Sequence, residues 1–484
     1  MSYLGIDLGT SGLRALLQDE EGQTIASAQM QYDVSHPQDG WSEQDPQHWI
    51  NALEATIAEV SENHAAFKTI KGIGVAGHMH GATLIDQNNE PLRPCILWND
   101  TRSMKEAARL DGLASMRELS GNIVFPGFTA PKLEWVKANE PETFAKVHKV
   151  LLPAAFLNLY LTGDCVADMS DSAGTSWLDI RERQWSKELL SLSGMQFEQM
   201  PRLVEGSEKA GTLRPELKSK WGLIEDVIVA GGAGDNAAAA CGIGALKENE
   251  GFVSLGTSGV LLVARDACSP APETAVHTFC HAVPERWYQM GVMLSATDCL
   301  NWFSKNVGRK PADLTADLGN DLKPPSSVQF WPYLSGERTP HNDSEIRASF
   351  IGLTLTTSHQ EMTSAVLEGV AFGLRDNLEA LCATGADPKS LFAIGGGSAS
   401  HYWLKLIATV LNIPLKLPAG GEFGAALGAA RLGQLAASNA DPETVLTKPE
   451  VSTVIEPDEA LVAAYNAASQ HYKTAYPMLK QLQR

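Results

Sequence analysis

The chain has no excess of positive charge, no apolar run long enough to cross a bilayer, no paired cysteine motif and no low-complexity stretch. Each absence removes a class of function. Lys and Arg number 38 against 57 Asp and Glu, a formal net charge of −19. Such a chain cannot neutralise a nucleic-acid backbone over a long footprint, and it is repelled by an anionic membrane surface. Without an apolar run of spanning length, no membrane segment is expected. The seven cysteines are odd in number, scattered from Cys95 to Cys382, and form no C-x-x-C pair. They read as reduced thiols in a cytoplasmic setting, with no zinc site expected. The N-terminus has no basic segment and Asp7 interrupts its apolar run, so no signal peptide is expected. Two catalytic signatures are also missing. There is no G-x-x-x-x-G-K-[ST], which argues against a P-loop, and no G-x-S-x-G nucleophile elbow.

What is present is a repeat. Leu-Gly-Thr-Ser-Gly occurs at Leu8–Gly12 and again at Leu255–Gly259, opening the two halves of the chain. In each copy a β-rich apolar run enters the turn and another leaves it, the pattern of a hairpin with a Gly-rich tip. Such a tip presents successive backbone N–H groups and a hydroxyl at one point, a concave site suited to phosphate. Two copies at equivalent places predict two similar half-molecules closing on one polyphosphate. The length calls for two large domains. A boundary near Gly244–Gly251 gives units 1–245 and 246–484. The first half reads as a strand-led α/β domain. Its helix starts at Asp45-Pro46, with Asp45 as N-cap and Pro46 at the first helical position. IKGIGVAGH and LRPCILWND read as buried strands. The tail from about Glu456 reads as a helix.

Several residues carry candidate chemistry. Asp7 lies just before the first Gly-rich turn, where a carboxylate beside phosphate demands an intervening cation such as Mg²⁺. Asp235 follows Gly-Gly-Ala-Gly at a strand-to-helix junction. There it could orient a substrate hydroxyl and accept its proton, or simply cap the helix. Gly77-His78-Met79-His80-Gly81 ends a strand. Two histidines at i and i+2 could point the same way toward a metal, but no further ligand is evident. A polyol contact from one His, with Met79 as an apolar wall, fits better. Trp98 could lie against the same ligand or be a core aromatic. Gly395-Gly396-Gly397, between a strand and a helix, allows close passage of a planar base or ribose.

Together these segments resemble the FGGY family of carbohydrate kinases, of the actin-like ATPase superfamily. The resemblance runs through GIDLGTSG, WSEQDP, GHMHGATL, ILWNDTR, PGFTAPKLEW, GGAGDNAA, SLGTSG, YLSGERTPH, LEGVAFGLRDNLE, GGGSAS and EFGAALGAA, in that order. It implies an α/β fold of two ribonuclease-H-like domains around a central cleft, with sugar on the first and ATP mostly on the second. Within the family the chain is similar to members that phosphorylate D-xylulose. At Met79-His80-Gly81 glycerol kinases carry an Arg-Glu pair, and Gly127 stands where they have a ligand-contacting Tyr. The resemblance makes Asp235 the general base and Asp7 the carboxylate near Mg²⁺ and the transferred phosphoryl, both reaching the metal through water. Met79, His80, Asn236 and Trp98 become sugar contacts. Thr10, Ser11, Gly12, Arg14, Gly256 and Thr257 become phosphate contacts, and Gly396 and Gly397 lie by the nucleoside. Two positions depart from the pattern: His78 stands where Gln is usual, and Ala233 interrupts an all-Gly turn. The partners implied are sugar and ATP, and the family suggests a homodimer.

Overall fold

The repeated pentapeptide marks a repeated topology. The computed structural model describes residues 1–419 and 424–483. In the first half, β1 (Ser2–Leu8), β2 (Gly12–Asp19) and β3 (Thr24–Gln31) form an antiparallel meander. Helix α1 (Pro46–Asn63) leads to β4 (Ile70–Gly77), which lies parallel to β1. Further along are α2 (Thr129–Asn139), α3 (Pro153–Thr162), β5 (Lys209–Thr212), β6 (Ile228–Ala230), β7 (Ala233–Gly234) and α4 (Asp235–Ile243). The sheet order is β5-β6-β4-β1-β2-β3, with β7 also pairing β4.

The second half repeats the plan. β8 (Gly251–Leu255), β9 (Gly259–Arg265), β10 (His277–Cys280) and β11 (Trp287–Met293) are antiparallel neighbours. Helices α5 (Thr297–Val307) and α6 (His359–Ala383) precede β12 (Leu391–Ile394). Then follow α7 (His401–Leu411), β13 (Leu415–Pro418), α8 (Ala425–Ser438), β14 (Val451–Ile455) and α9 (Glu459–Leu482). The order β14-β13-β12-β8-β9-β11-β10 repeats the parallel and antiparallel pairings of the first sheet, with one extra strand at the β11 edge, although the chain visits the outer strands in a different order. Two parallel crossovers onto the first strand of a meander are what places both Gly-rich turns at strand ends facing a common cleft. In the resembling segment EFGAALGAA, Glu422 and Phe423 lie outside the described residues.

Local chemistry explains the first elements. The Asp45 carboxylate accepts the Gln47 N–H at 2.9 Å, as an N-cap does. Trp49, Leu53, Ile57 and Val60 recur on one face of α1 and are buried, each worth roughly 1.5–3 kcal/mol. The expected strand over LRPCILWND shrinks to Cys95–Ile96. Pro94 has no N–H to give to a ladder, and the Arg93 side chain before it reaches Glu43 at 2.5 Å and Glu140 at 3.1 Å.

Helix α8 crosses from the second half onto the first sheet. Small residues make this possible. A Cβ on Gly428 would stand 1.7 Å from the Ala238 carbonyl oxygen, and one on Gly5 1.8 Å from that of Ala426. Arg431, buried on α8, donates from Nη1 to the carbonyls of Cys241 at 2.9 Å and Gly242 at 3.0 Å, closing the C-terminal end of α4 with a cation. The α8–α4 contact therefore fixes the helix that begins at Asp235. Gly428→Val is expected to cost about 3 kcal/mol or more, read as a lower thermal unfolding temperature. An unchanged melting curve would show that α8 does not pack this closely.

Candidate active site

The first Gly-rich turn is held open by its own carbonyls. The Tyr32 hydroxyl donates to Gly9 O at 2.6 Å, Tyr32 N–H to Ser11 O at 3.2 Å and Gln44 Nε2 to Thr10 O at 2.6 Å. With these carbonyls tied back, the turn's N–H groups can face the cleft. The second turn is built alike. Thr297 donates from N and Oγ1 to Gly256 O at 3.0 and 2.7 Å, and Ala296 N–H donates to Thr257 O at 2.8 Å.

Asp7 is the penultimate residue of β1 and pairs across the sheet with Arg14 on β2. Its carboxylate accepts no hydrogen bond among the described residues. Burial, reinforced by the charge of Asp235, pushes its pKa up to about 7 against the pull of Arg14. Asp235 is brought beside it because β7 runs parallel to β4, with Gly234 opposite Gly77 and Leu8 opposite the same Gly77. The capping alternative for Asp235 does not hold. Gly234 occupies the N-cap position, and Asp235 is the first residue of α4. Its Oδ1 accepts the Asn236 backbone N–H at 2.7 Å and the Asn236 side-chain amide at 2.9 Å. Oδ2 has no protein partner among the described residues, and burial raises the carboxyl pKa to about 6.

Asp235 and Asn236 line a cavity of about 160 Å³ together with Met79, His80, Trp98, Gly127, Phe125, Phe128, Ser258 and Arg338. That is below the usual range for drug-sized ligands and suits a small polar molecule. Both histidines line this cavity, but their rings pack on different partners. The strand ends at Gly77, and His80 adopts a left-handed φ of 69°. His78 is buried edge-on against Trp49, with ring centroids 5.6 Å apart, whereas His80 stacks on Phe128 at 4.4 Å. His80 Nδ1 lies 2.7 Å from the Gly174 carbonyl. A carbonyl only accepts, so Nδ1 carries the proton and Nε2 is a bare acceptor. Burial lowers the pKa of both rings to about 3, leaving them neutral. The left-handed turn is secured by the buried ammonium of Lys132, donating to His80 O at 2.8 Å, and by Thr129 Oγ1 at 3.2 Å.

Trp98 is 39% exposed, so it is not a core aromatic. Its Nε1–H donates to Thr10 Oγ1 at 2.9 Å, joining the cavity wall to the first turn. Gly127 lines the cavity, but its missing Cβ also has a packing cause. A Cβ there would stand 2.1 Å from the Trp98 carbonyl oxygen. Met79 accepts a contact from the Tyr288 hydroxyl at 3.8 Å through its sulfur. Gly396 and Gly397 fall elsewhere, in a second cavity of about 370 Å³ walled by Thr297, Leu300, Pro311, Thr315 and Trp403. A Cβ on Gly397 would meet the Leu255 side chain at 2.8 Å, which ties this cavity to the second turn.

A profile described as the N-terminal domain of the FGGY family of carbohydrate kinases matches residues 2–242, and its C-terminal counterpart matches residues 251–437. The chain belongs to the FGGY family of carbohydrate kinases. It is 44% identical to the xylulose kinase of Escherichia coli K12, over 99% of both chains. It superposes on the crystal structure of a xyloylose kinase from Brucella ovis with a TM-score of 0.98 and 57% identity, covering both chains fully. It superposes on a gluconate kinase from Lactobacillus acidophilus with a TM-score of 0.93 and 25% identity, over 99% and 98% of the chains. As an FGGY kinase, the chain is an enzyme that phosphorylates a sugar with ATP as co-substrate. Sequence reasoning passed over Lys132, Ser258 and Arg338. All three sit inside segments that carry the family resemblance, but only the fold shows that they reach the His80 turn or the cavity.

Proposed function

We propose that the enzyme transfers the γ-phosphoryl of ATP to the 5-hydroxyl of D-xylulose. The observation that carries this reading is Asp235: a buried carboxylate with one oxygen fixed by Asn236 and the other open, in a small cavity walled by Ser258 of the second Gly-rich turn and by Trp98, which is bonded to Thr10 of the first. Relatives named for xylulose at high identity supply the sugar. In this reading Asp235 Oδ2 orients the 5-hydroxyl and accepts its proton as the phosphoryl arrives. His80 Nε2 accepts from a sugar hydroxyl, Met79 and Trp98 wall the carbon chain, and Asn236 contacts the sugar. The turn residues Thr10, Ser11, Gly12, Gly256 and Thr257, with Arg14, hold the phosphates, and Gly396 and Gly397 flank the nucleoside.

Asp235 repels Asp7, and the charge of Arg14 offsets this only in part. This fits a divalent cation such as Mg²⁺, which Asp7 and Asp235 would hold through water. When bound, it would neutralise the charge of the transferring phosphoryl. Units 1–245 and 246–484 then divide sugar from nucleotide, and their closure excludes water, which competes for the phosphoryl.

The test is coupled ADP release from Mg-ATP with D-xylulose, D-ribulose, L-ribulose, gluconate and glycerol, and a sugar-free blank. A dominant D-xylulose rate over a slow blank is expected. A faster rate with another sugar overturns the substrate, and a blank as fast as any sugar overturns closure-gated transfer.

A further inference from the structure

Lys132 sets a fully buried amino group against a single carbonyl. It lies on α2 with no exposed surface. An amino group taken out of water is costly unless a counter-charge or a full set of acceptors meets it. Lys132 has neither. Among the described residues it makes no ion pair, and its one hydrogen bond is the 2.8 Å donation to His80 O. Two acidic groups favour its charge, Cys95 and Asp100. Cys95 is a buried thiol whose own pKa is pushed up to about 11. Asp100 is engaged elsewhere. Its Oδ2 accepts from Ser42 N–H at 2.6 Å and Arg102 Nη2 at 2.7 Å, and its Oδ1 from the N–H and Nε of Arg102, both at 2.9 Å. Burial therefore pulls the pKa of Lys132 down to about 7. An apolar side chain would fill the same place without that cost.

What the amino group secures is the geometry of His80. A residue with a Cβ avoids the left-handed region, and His80 sits there at a φ of 69°. Its carbonyl is held by two donors from the first turn of α2, Lys132 Nζ and, at 3.2 Å, Thr129 Oγ1. Its ring is held by the residue that precedes that turn. It stacks on Phe128 with the planes 14° apart, and Nδ1 lies 2.7 Å from Gly174 O. A Cβ on Gly174 would stand 2.6 Å from the ring, so the ring fits closely there. Main chain and ring are fixed as one unit, which leaves Nε2 as the edge open to a sugar hydroxyl. Lys132 itself does not line the cavity. Whatever it does for the sugar passes through His80.

We propose that Lys132 is a positioning residue for sugar recognition: its amino group holds the His80 carbonyl, and so keeps His80 in the one backbone conformation that presents Nε2 to the substrate. This rests on the sugar-kinase reading above and assigns part of its sugar affinity to a side chain that never touches the sugar.

The experiment is a double-mutant cycle on Lys132→Met and His80→Ala, read by steady-state kinetics with D-xylulose and with D-ribulose as a second sugar. Lys132→Met alone is expected to lower kcat/KM for D-xylulose by roughly tenfold to a hundredfold, chiefly through KM. The KM for ATP and the sugar-free rate of ADP release should stay near wild type. His80→Ala should fall by a comparable or larger factor. Adding Lys132→Met to it should then change kcat/KM by less than about twofold. Where Lys132→Met does not fold, Thr129→Val removes the other donor to the same carbonyl and runs the same cycle, with a smaller single effect. Multiplicative losses in the double variant would mean that Lys132 acts independently of His80 and overturn the proposal. So would sugar and ATP parameters worsening together, the mark of a merely structural role, or a Lys132→Met enzyme with an unchanged sugar KM. If D-ribulose proves the better substrate, the same non-additive cycle on it supports the role of Lys132 while the D-xylulose assignment fails.

Discussion

Asp235→Asn is expected to lower kcat by roughly 10³ to 10⁴-fold while leaving the fold and the KM for ATP close to wild type. The substitution keeps the volume and the first position of α4, and its amide oxygen can still accept from Asn236. It removes the one group placed to take the sugar proton. The wild-type enzyme should show the matching pH dependence. Burial raises the Asp235 pKa to about 6, and a general base works only when deprotonated. Activity is therefore present above that value and lost as pH falls through about 6. Steady-state kinetics across pH 5 to 8 would check both. A variant with kcat within a few-fold of wild type would remove Asp235 from the base role.

Asp7→Asn is expected to cost about a hundredfold or more in kcat, with the sugar KM little changed. Asp7 accepts no hydrogen bond from the described protein, and burial together with the charge of Asp235 pushes its pKa up to about 7. A carboxylate kept under those conditions contributes little to stability. Its value lies in the charge it offers a cation and the phosphates. Titrating Mg²⁺ separates this from a structural role. The variant should need more Mg²⁺ to reach half its maximal rate. It should also melt no lower than wild type, because a buried, self-repelling charge has been removed. A variant with an unchanged Mg²⁺ requirement and a near-normal rate would contradict the role.

Much of the architecture was legible because it is written locally. The twin Leu-Gly-Thr-Ser-Gly turns announced two equivalent sheets, and the pattern of strand pairings repeats between the halves. The Gly-Gly-Ala-Gly-Asp junction announced a strand-to-helix corner, and Asp235 stands there as the first residue of α4. The Asp45-Pro46 start of α1 was read from the same kind of cue. What escaped depends on residues distant in the chain. The IKGIGVAGH strand is expected to end in the loop Gly77–Gly81, and β4 does stop at Gly77, but nothing nearby says that Lys132 and Thr129 pin His80 in a left-handed turn. Nothing near Trp98 says that its indole reaches Thr10. Periodicity reports which face of an element is buried, not what packs on it. So the docking of α8 on the first sheet, and the entry of Arg338 into a cavity built mostly by the other half, became visible only in three dimensions.

The account's central claim is a phosphoryl group moving from ATP to one sugar hydroxyl held by Asp235. The most direct measurement is ³¹P NMR of the products formed from ATP and D-xylulose. The expected spectrum shows ADP and a single phosphomonoester in equal amounts, with the ester coupled to the C5 methylene protons. Inorganic phosphate in place of the ester, or an ester on another carbon, would contradict it.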